Sequence, residues 1–212
     1  MSGRYPVLLD VSRVPVLVVG GGQVALRKVR GVIDGGGAPD VVSPDVVAEL
    51  ERLIEGRGLR WRQRRFAAGD AHGYRLVFTA TDSAEVNAAV TAEAEAAGAL
   101  VNVADDGAGS TFHVPASIRQ GDVVVALSTG GASPLLSRRL RERLEAVVTP
   151  GLGRAATRLA GVRDRMRQRF PESEAHRRDA WFALVTPEFL DAAIAGRDAE
   201  VEQHIARCLS QS

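Results

Sequence analysis

Apolar residues in this chain fall first into short unbroken runs and only later into helical stripes. Val14-Pro15-Val16-Leu17-Val18-Val19 is one run, Leu76-Val77-Phe78-Thr79-Ala80 a second and Leu100-Val101-Asn102-Val103 a third. Runs this short and without alternation belong to strands buried on both faces. Val41-Val42 reads as a further short strand. Leu59 to Phe66 reads as an edge strand, with Leu59, Trp61 and Gln63 on one face and arginines on the other. Between the runs the spacing turns helical. From 23 to about 33, Val24, Val29, Val32 and Ile33 share one side, and Gly35-Gly36-Gly37 ends the stretch. A second helix, about 45 to 55, is entered through Ser43 as cap and Pro44 in the first turn. A third, rich in Ala and Glu, runs from the cap Thr81-Asp82-Ser83 to about 97. Pro6 to Asp10 reads as a lead-in strand or extended arm. The order β-α-β-α-β-β-α-β predicts an α/β fold, a doubly wound parallel sheet of the Rossmann type.

Beyond Asp105-Asp106-Gly107 the pattern changes. Residues 111–118 and 123–127 read as two strands, joined by a turn at Arg119-Gln120-Gly121-Asp122. A glycine-rich loop, Ser128-Thr129-Gly130-Gly131-Ala132-Ser133-Pro134, leads into a helix. One face of that helix carries Leu136, Leu140, Leu144 and Val147, and the other Arg138, Arg139, Arg141 and Arg143. Two strands and one helix are too little for a core of their own. This piece is therefore expected to lean on the first domain or on a second subunit. Thr149-Pro150-Gly151 marks a hinge. The rest is predicted helical, at about 152–170, 174–185, 187–195 and 199–209, with Trp181, Phe182, Leu184, Phe189 and Leu190 as a small core.

Composition narrows the picture only in places. The 212 residues are 45% apolar, enough for a real core, and the formal charge is +1. Whole-chain electrostatics therefore say nothing about partners. Between Arg154 and Arg178, however, eight arginines face three acids. That segment reads either as a surface for an anion or as a solvated helix face. A single cysteine, Cys208, rules out a disulfide within the chain and suits a reducing cytoplasm. No run approaches the roughly 18 apolar residues of a membrane span, and the N-terminus lacks the apolar region of a signal peptide. The four histidines and Cys208 show no metal-ligand spacing.

The chemistry begins at Gly20-Gly21-Gly22-Gln23-Val24-Ala25, a Gly-x-Gly-x-x-Ala turn between a buried run and a helix. Gly20 permits the turn, Gly22 leaves room for a phosphate, and Ala25 allows close helix–strand packing. The N–H groups opening the helix face the anion. Cofactor contacts are expected at the carboxyl ends of the strands. They gather Gly20, Gly22, Gln23, Val24, Ser43, Pro44, Thr81, Asp82 and Asn102. Where such folds often place an acid for the ribose, this chain has Ser43, with no arginine for a 2′-phosphate, and the absence favours NAD over NADP. Asp82 reads as a helix cap or as part of the nicotinamide side. Asp105 reads as a proton acceptor beside the cofactor or as part of a plain acidic turn. His113, expected in a strand, is a second acid–base candidate or a structural hydrogen-bonder.

Several spaced motifs together resemble the siroheme synthase N-terminal module, the precorrin-2 dehydrogenase/sirohydrochlorin ferrochelatase family. They are Val18-Val19-Gly20-Gly21-Gly22-x-Val24-Ala25-x-Arg27-Lys28, Ala80-Thr81-Asp82-x-x-x-Val86-Asn87, Asn102-Val103-x-Asp105, Phe112-x-x-Pro115-x-x-Ile118 and Ser128-Thr129-Gly130-Gly131-x-Ser133-Pro134. The resemblance spans nearly the whole chain. It implies NAD-dependent oxidation of precorrin-2 to sirohydrochlorin, with Asp105 as the key catalytic residue. It also implies an NAD-binding Rossmann-type domain at 1–113, a dimerisation region at 114–148 and a helical domain at 149–212, in a cytoplasmic homodimer. Ser128, Thr129, Gly130, Gly131 and Ser133 are then expected to contact substrate. The arginine-rich segment is expected to meet the many carboxylates of a tetrapyrrole rather than nucleic acid or a membrane. Insertion of ferrous iron stays open; Asp105 would be first to carry the metal, with His113 beside it. The fused methyltransferase domain of longer members is expected to be absent. The competing reading, a regulatory nucleotide-binding module of the potassium-transport type, shares the glycine turn. It lacks the Ser128–Pro134 loop and the helical tail, and usually has an acid ending the second strand.

Overall fold

The computed structural model describes residues 4–104, 106–107 and 109–210. The chain divides into two compact units, Met1–Val114 and Pro115–Ser212. In the first, β1 (Val16–Val19), β2 (Asp40–Val42), β3 (Trp61–Arg62), β4 (Leu76–Thr79) and β5 (Leu100–Val103) form one sheet in the order β3-β2-β1-β4-β5. Every pairing is parallel, with Val18 opposite Val41 and Phe78, and Phe78 opposite Asn102. Helices α1 (Gln23–Asp34), α2 (Ala48–Arg57) and α3 (Ala84–Ala96) make the crossovers. The unbroken runs have the expected cause. All four residues of β1 and of β4 are buried, because both faces of the sheet are covered. Val16, Val18, Leu76 and Phe78 pack with Leu26, Val29 and Leu50 from α1 and α2. Leu17, Val19, Val77 and Val101 pack with Val90 and Ala94 of α3 on the other face. Each such aliphatic burial contributes about 1.5–3 kcal/mol.

Three expected boundaries shift, each for a physical reason. Ser43-Pro44 does not cap α2. The Ser43 hydroxyl instead donates to the Asp45 carbonyl at 2.6 Å, and the Val47 N–H donates to the Gly21 carbonyl at 2.8 Å. The segment is held against the glycine turn, and the helix begins only at Ala48. The edge strand expected over 59–66 shrinks to Trp61–Arg62. Arg62 and Arg64 both turn to the buried carboxylate of Asp70, at 2.7 and 2.6 Å, which draws the chain away from the sheet. Residues 111–115 form no strand either. The Ser110 and Thr111 hydroxyls accept from the Val103 and Val101 N–H groups, at 2.9 and 2.7 Å. The open edge of β5 is thereby satisfied by side chains, which leaves that edge blunted. His113, expected in a strand, therefore lies in a loop. Residues 4–10 are exposed and form no strand or helix.

The second unit opens with an antiparallel pair, β6 (Ala116–Gln120) and β7 (Val123–Leu127). It continues with α4 (Pro134–Glu145), α5 (Pro150–Arg169), α6 (Glu174–Leu184), α7 (Pro187–Ile194) and α8 (Asp198–Ser210). Ser133, Thr149, Ser173 and Thr186 each accept the N–H three residues on, so the cap residues fix where α4 to α7 begin. The core joins Ala155, Val162 and Met166 of α5 to Leu184, Phe189, Val201 and Ile205. Of the expected core residues, Leu184 and Phe189 are buried and Trp181 packs at the margin. Phe182 is 74% exposed and Leu190 41%, because each points away from the side its helix turns to α5 and α8. No residue of α4 is buried within the chain, although Leu135 and Leu136 belong to its apolar positions.

Candidate cofactor and substrate site

The sheet order places the topological switch between β1 and β4, and a ligand crevice opens at the carboxyl ends of such strands. β1 is followed by Gly20, whose N–H donates to the Val42 carbonyl at 2.9 Å, and β4 by Ala80, whose N–H donates to the Val19 carbonyl at 2.8 Å. The chain then turns sharply at Gly20, where φ is +127°. A β-carbon there would lie 2.3 Å from the Ala80 carbonyl oxygen. At Gly21 it would lie 1.9 Å from the Asp45 oxygen, a requirement that the Gly-x-Gly pattern does not reveal. At Gly22 it would meet nothing within 4 Å. Two of the glycines are therefore demanded by the protein's own packing, whereas Gly22 borders open space. Gly22 is also the N-cap of α1 and offers no side chain to the first-turn N–H groups. An anion fits there, held by unclaimed donors and the positive end of the helix dipole. Ala25 is fully buried against the sheet, Gln23 is exposed and Val24 half-buried.

The remaining expected cofactor residues border the same sheet end. Ser43 is buried with its hydroxyl engaged in the 43–45 turn, and Pro44 is exposed. Thr81 is tied to Asn87, which sequence reading had not placed in the site. The Thr81 hydroxyl donates to Asn87 Oδ1 at 2.8 Å, and Asn87 Nδ2 donates back to the Thr81 carbonyl at 3.0 Å. Asn87 thus rigidifies the turn after β4. Its only signal in the sequence was its spacing from Ala80-Thr81. Ser83, not Asp82, caps α3, accepting from the Val86 N–H at 3.3 Å; Asp82 is exposed. Asn102 is buried, and its Nδ2 donates to the Phe112 carbonyl at 3.1 Å. Its Oδ1 is buried with no partner among the described residues. Phe112 in turn meets Phe78 edge to face, with centroids 5.3 Å apart. Asn102 and Phe78 therefore set the position of the loop that carries His113.

His113 is half-buried, and its Cε1 lies 3.8 Å from where a β-carbon on Gly107 would be. The histidine thus packs on the turn that follows the Asp105-Asp106 pair. Asp105 itself lies outside the described residues. Ser128, Thr129, Gly130, Gly131 and Ser133 belong to the second unit and are considered within it alone. There the Thr129 hydroxyl lies 3.0 Å from that of Ser137, and Gly130 and Gly131 both take positive φ. The loop is a tight connection into the capped start of α4. Among the described residues no group of three or more His, Cys, Asp or Glu is placed to hold a metal, and no helix is long and apolar enough to cross a membrane.

A parallel sheet of this order, with an open glycine turn at the switch point, defines a Rossmann-type dinucleotide-binding protein. Comparison with known proteins narrows that class. Residues 7–116 match the family described as "Putative NAD(P)-binding", and residues 120–146 match "Sirohaem biosynthesis protein central". The chain belongs to the siroheme synthase N-terminal module family. It is 40% identical over 206 residues to siroheme synthase of Chromobacterium violaceum, covering 95% of this chain and 44% of the relative. It is 39% identical over 198 residues to siroheme synthase of Methylococcus capsulatus, covering 93% and 42%. The chain thus spans less than half the length of these relatives. Among solved structures, "SirC, precorrin-2 dehydrogenase" superposes with a TM-score of 0.77 at 29% identity, covering 96% of this chain and all of that one.

Proposed function

We propose that this protein is an NAD-dependent dehydrogenase that oxidises precorrin-2 to sirohydrochlorin in siroheme biosynthesis. The observation that carries the reading is the end-to-end match to a precorrin-2 dehydrogenase, joined to a glycine turn open at Gly22. When bound, NAD supplies a hydride acceptor. Gly20 and Gly22, with the N–H groups opening α1 at Gln23 and Val24, hold its pyrophosphate. Ser43 and Pro44 border its ribose, and Thr81, Asp82 and Asn102 its nicotinamide side. Forming a new double bond in the macrocycle also releases a proton, and Asp105 receives it. A carboxylate suits that role when its pKa is matched to the task. His113, packed on the same turn, is the second acid–base group. Ser128, Thr129, Gly130, Gly131 and Ser133 contact the substrate.

The apolar positions exposed at the start of α4 support a homodimer in which residues 114–148 form the interface. The lone, half-buried Cys208 supports a cytoplasmic setting. Iron insertion is a second reading, favoured by the siroheme synthase relatives; there ferrous iron is a substrate and Asp105 its first contact. The test is anaerobic incubation with NAD and precorrin-2, following the sirohydrochlorin spectrum. Wild type should oxidise it and Asp105→Ala should not. No oxidation by wild type refutes the function, whereas full activity in the variant refutes only the role of Asp105. Ferrous iron added afterwards tests chelation separately.

A further inference from the structure

A cleft of about 920 Å³ opens between α5 and α6, wholly within the second unit. Its lining includes Arg163 and Arg167 from α5, Arg177 and Arg178 from α6, and the aromatic rings of Trp181 and Phe182. Four guanidinium groups thus face a single lining carboxylate, Glu174. Their engagements differ. Arg177 donates to the carbonyls of Phe170 and Pro171 and so ties the α5–α6 turn, and Arg178 pairs with exposed Asp179 at 3.4 Å. Arg163 and Arg167 stand one helical turn apart on α5, are exposed, and make no ion pair among the described residues. By contrast, Arg154 and Arg158, farther toward the start of the same helix, both pair with Asp198, and Arg158 also pairs with Glu202. Arg165 and Arg169 also make no ion pair among the described residues, and of the four arginines from Arg163 to Arg169 it is Arg163 and Arg167 that line the cleft. Met166, a core residue and almost fully buried, also lines the cleft, and the ring of Phe182 is largely exposed.

We infer that this cleft binds a flat, polycarboxylated macrocycle: the acidic rim pairs with Arg163 and Arg167, and the ring lies on Trp181 and Phe182. The volume is that of a small-molecule site. Guanidinium forks recognise carboxylates in bidentate geometry, and aromatic faces stack on extended π systems. A simple anion would use the arginines and leave both rings idle. An apolar ligand would leave the guanidinium groups uncompensated. The inference rests on the tetrapyrrole dehydrogenase reading and names the part of the chain that holds the substrate's acidic rim.

The experiment titrates sirohydrochlorin anaerobically into the full chain and follows tryptophan emission. Binding should quench emission, and most of the quenching should vanish in Trp181→Phe, since Trp61 lies in β3. Arg163→Glu combined with Arg167→Glu should raise the dissociation constant at least about tenfold. The melting temperature and NAD affinity should hold, because both side chains are exposed. Arg163→Lys with Arg167→Lys should recover part of the affinity. An unchanged dissociation constant in the reversal variant overturns the inference, and so does equal displacement by inorganic triphosphate, which would mark a non-selective anion patch. Oxidation of precorrin-2 by wild type, measured in parallel, separates the two claims. Turnover without Trp181-dependent quenching sinks the cleft and leaves the function standing; quenching without turnover does the reverse.

Discussion

The carbonyl oxygen of Asp45 lies 1.9 Å from where a β-carbon on Gly21 would be, while the same atom on the next residue, Gly22, would meet nothing within 4 Å. Adjacent glycines in one motif therefore answer to different constraints. Gly21→Ala forces the 43–47 segment off the turn and should destabilise the protein by at least about 1–3 kcal/mol. Gly22→Ala, at φ −81°, should cost about 1 kcal/mol or less, as an N-cap change, yet weaken NAD binding at least about tenfold. Thermal melting and calorimetric NAD titration of both variants check the contrast. Equal loss of NAD binding and of stability in both would contradict it.

Asp70 gives the first unit its acid limit. Its buried carboxylate takes two charged hydrogen bonds from Arg64 and one from Arg62, and the Arg64 bonds above all hold its pKa below the usual carboxylate range. A depressed folded pKa means that the contribution is fully present above the unfolded value of about 3.9 and is lost as pH falls through the folded value. Stability should drop steeply below about pH 4. Asp70→Asn should be less stable at neutral pH and show a shallower acid limb in denaturant titrations.

At the alkaline end the sign reverses. Burial, and then the hydrogen bond that Tyr74 donates to Asp40, push its phenol up to about 12 from 10.0. A raised folded pKa contributes stability below the unfolded value, and that contribution is lost as pH rises from 10 through 12. Tyr74→Phe should remove this alkaline limb in the same titration.

Asn102 holds the His113 loop through the Phe112 carbonyl. Asn102→Ala removes that donor and should cost about 1 kcal/mol. It should also lower kcat for precorrin-2 oxidation, through displacement of the loop. An unchanged kcat with reduced stability would limit Asn102 to packing.

The start of α4 leaves apolar side chains exposed in the single chain, with Leu135 63% exposed and Leu136 49%, while Leu140 and Leu144 are half-buried. Leu136→Glu together with Leu140→Glu should convert a dimer to a monomer in sedimentation velocity, with α5 to α8 retaining their helical circular dichroism. A wild-type monomer, or a double variant that stays dimeric, would remove residues 114–148 as the interface.

Much of this architecture follows from local patterns. Unbroken runs at Val16–Val19 and Leu76–Thr79 specify doubly covered strands, because neither run alternates apolar with polar residues. Cap residues such as Ser133, Thr149 and Thr186 specify where helices start, because a side-chain oxygen there satisfies an otherwise unpaired N–H. The Gly20–Ala25 turn is legible for the same reason: backbone approach to a phosphate has few solutions. What only the tertiary structure decided are relations between distant segments. The 43–47 segment extends rather than coils because Gly21 holds Val47. The edge strand stops at Arg62 because Asp70, eight residues on, draws two arginines from it. Thr81 is braced by Asn87, and Asp198, from another helix, pairs with Arg154 and Arg158 while Arg163 and Arg167 line the cleft with no ion pair among the described residues. Periodicity records which side of an element is apolar. It carries no record of which charged or hydrogen-bonding group from elsewhere in the chain will meet the other side.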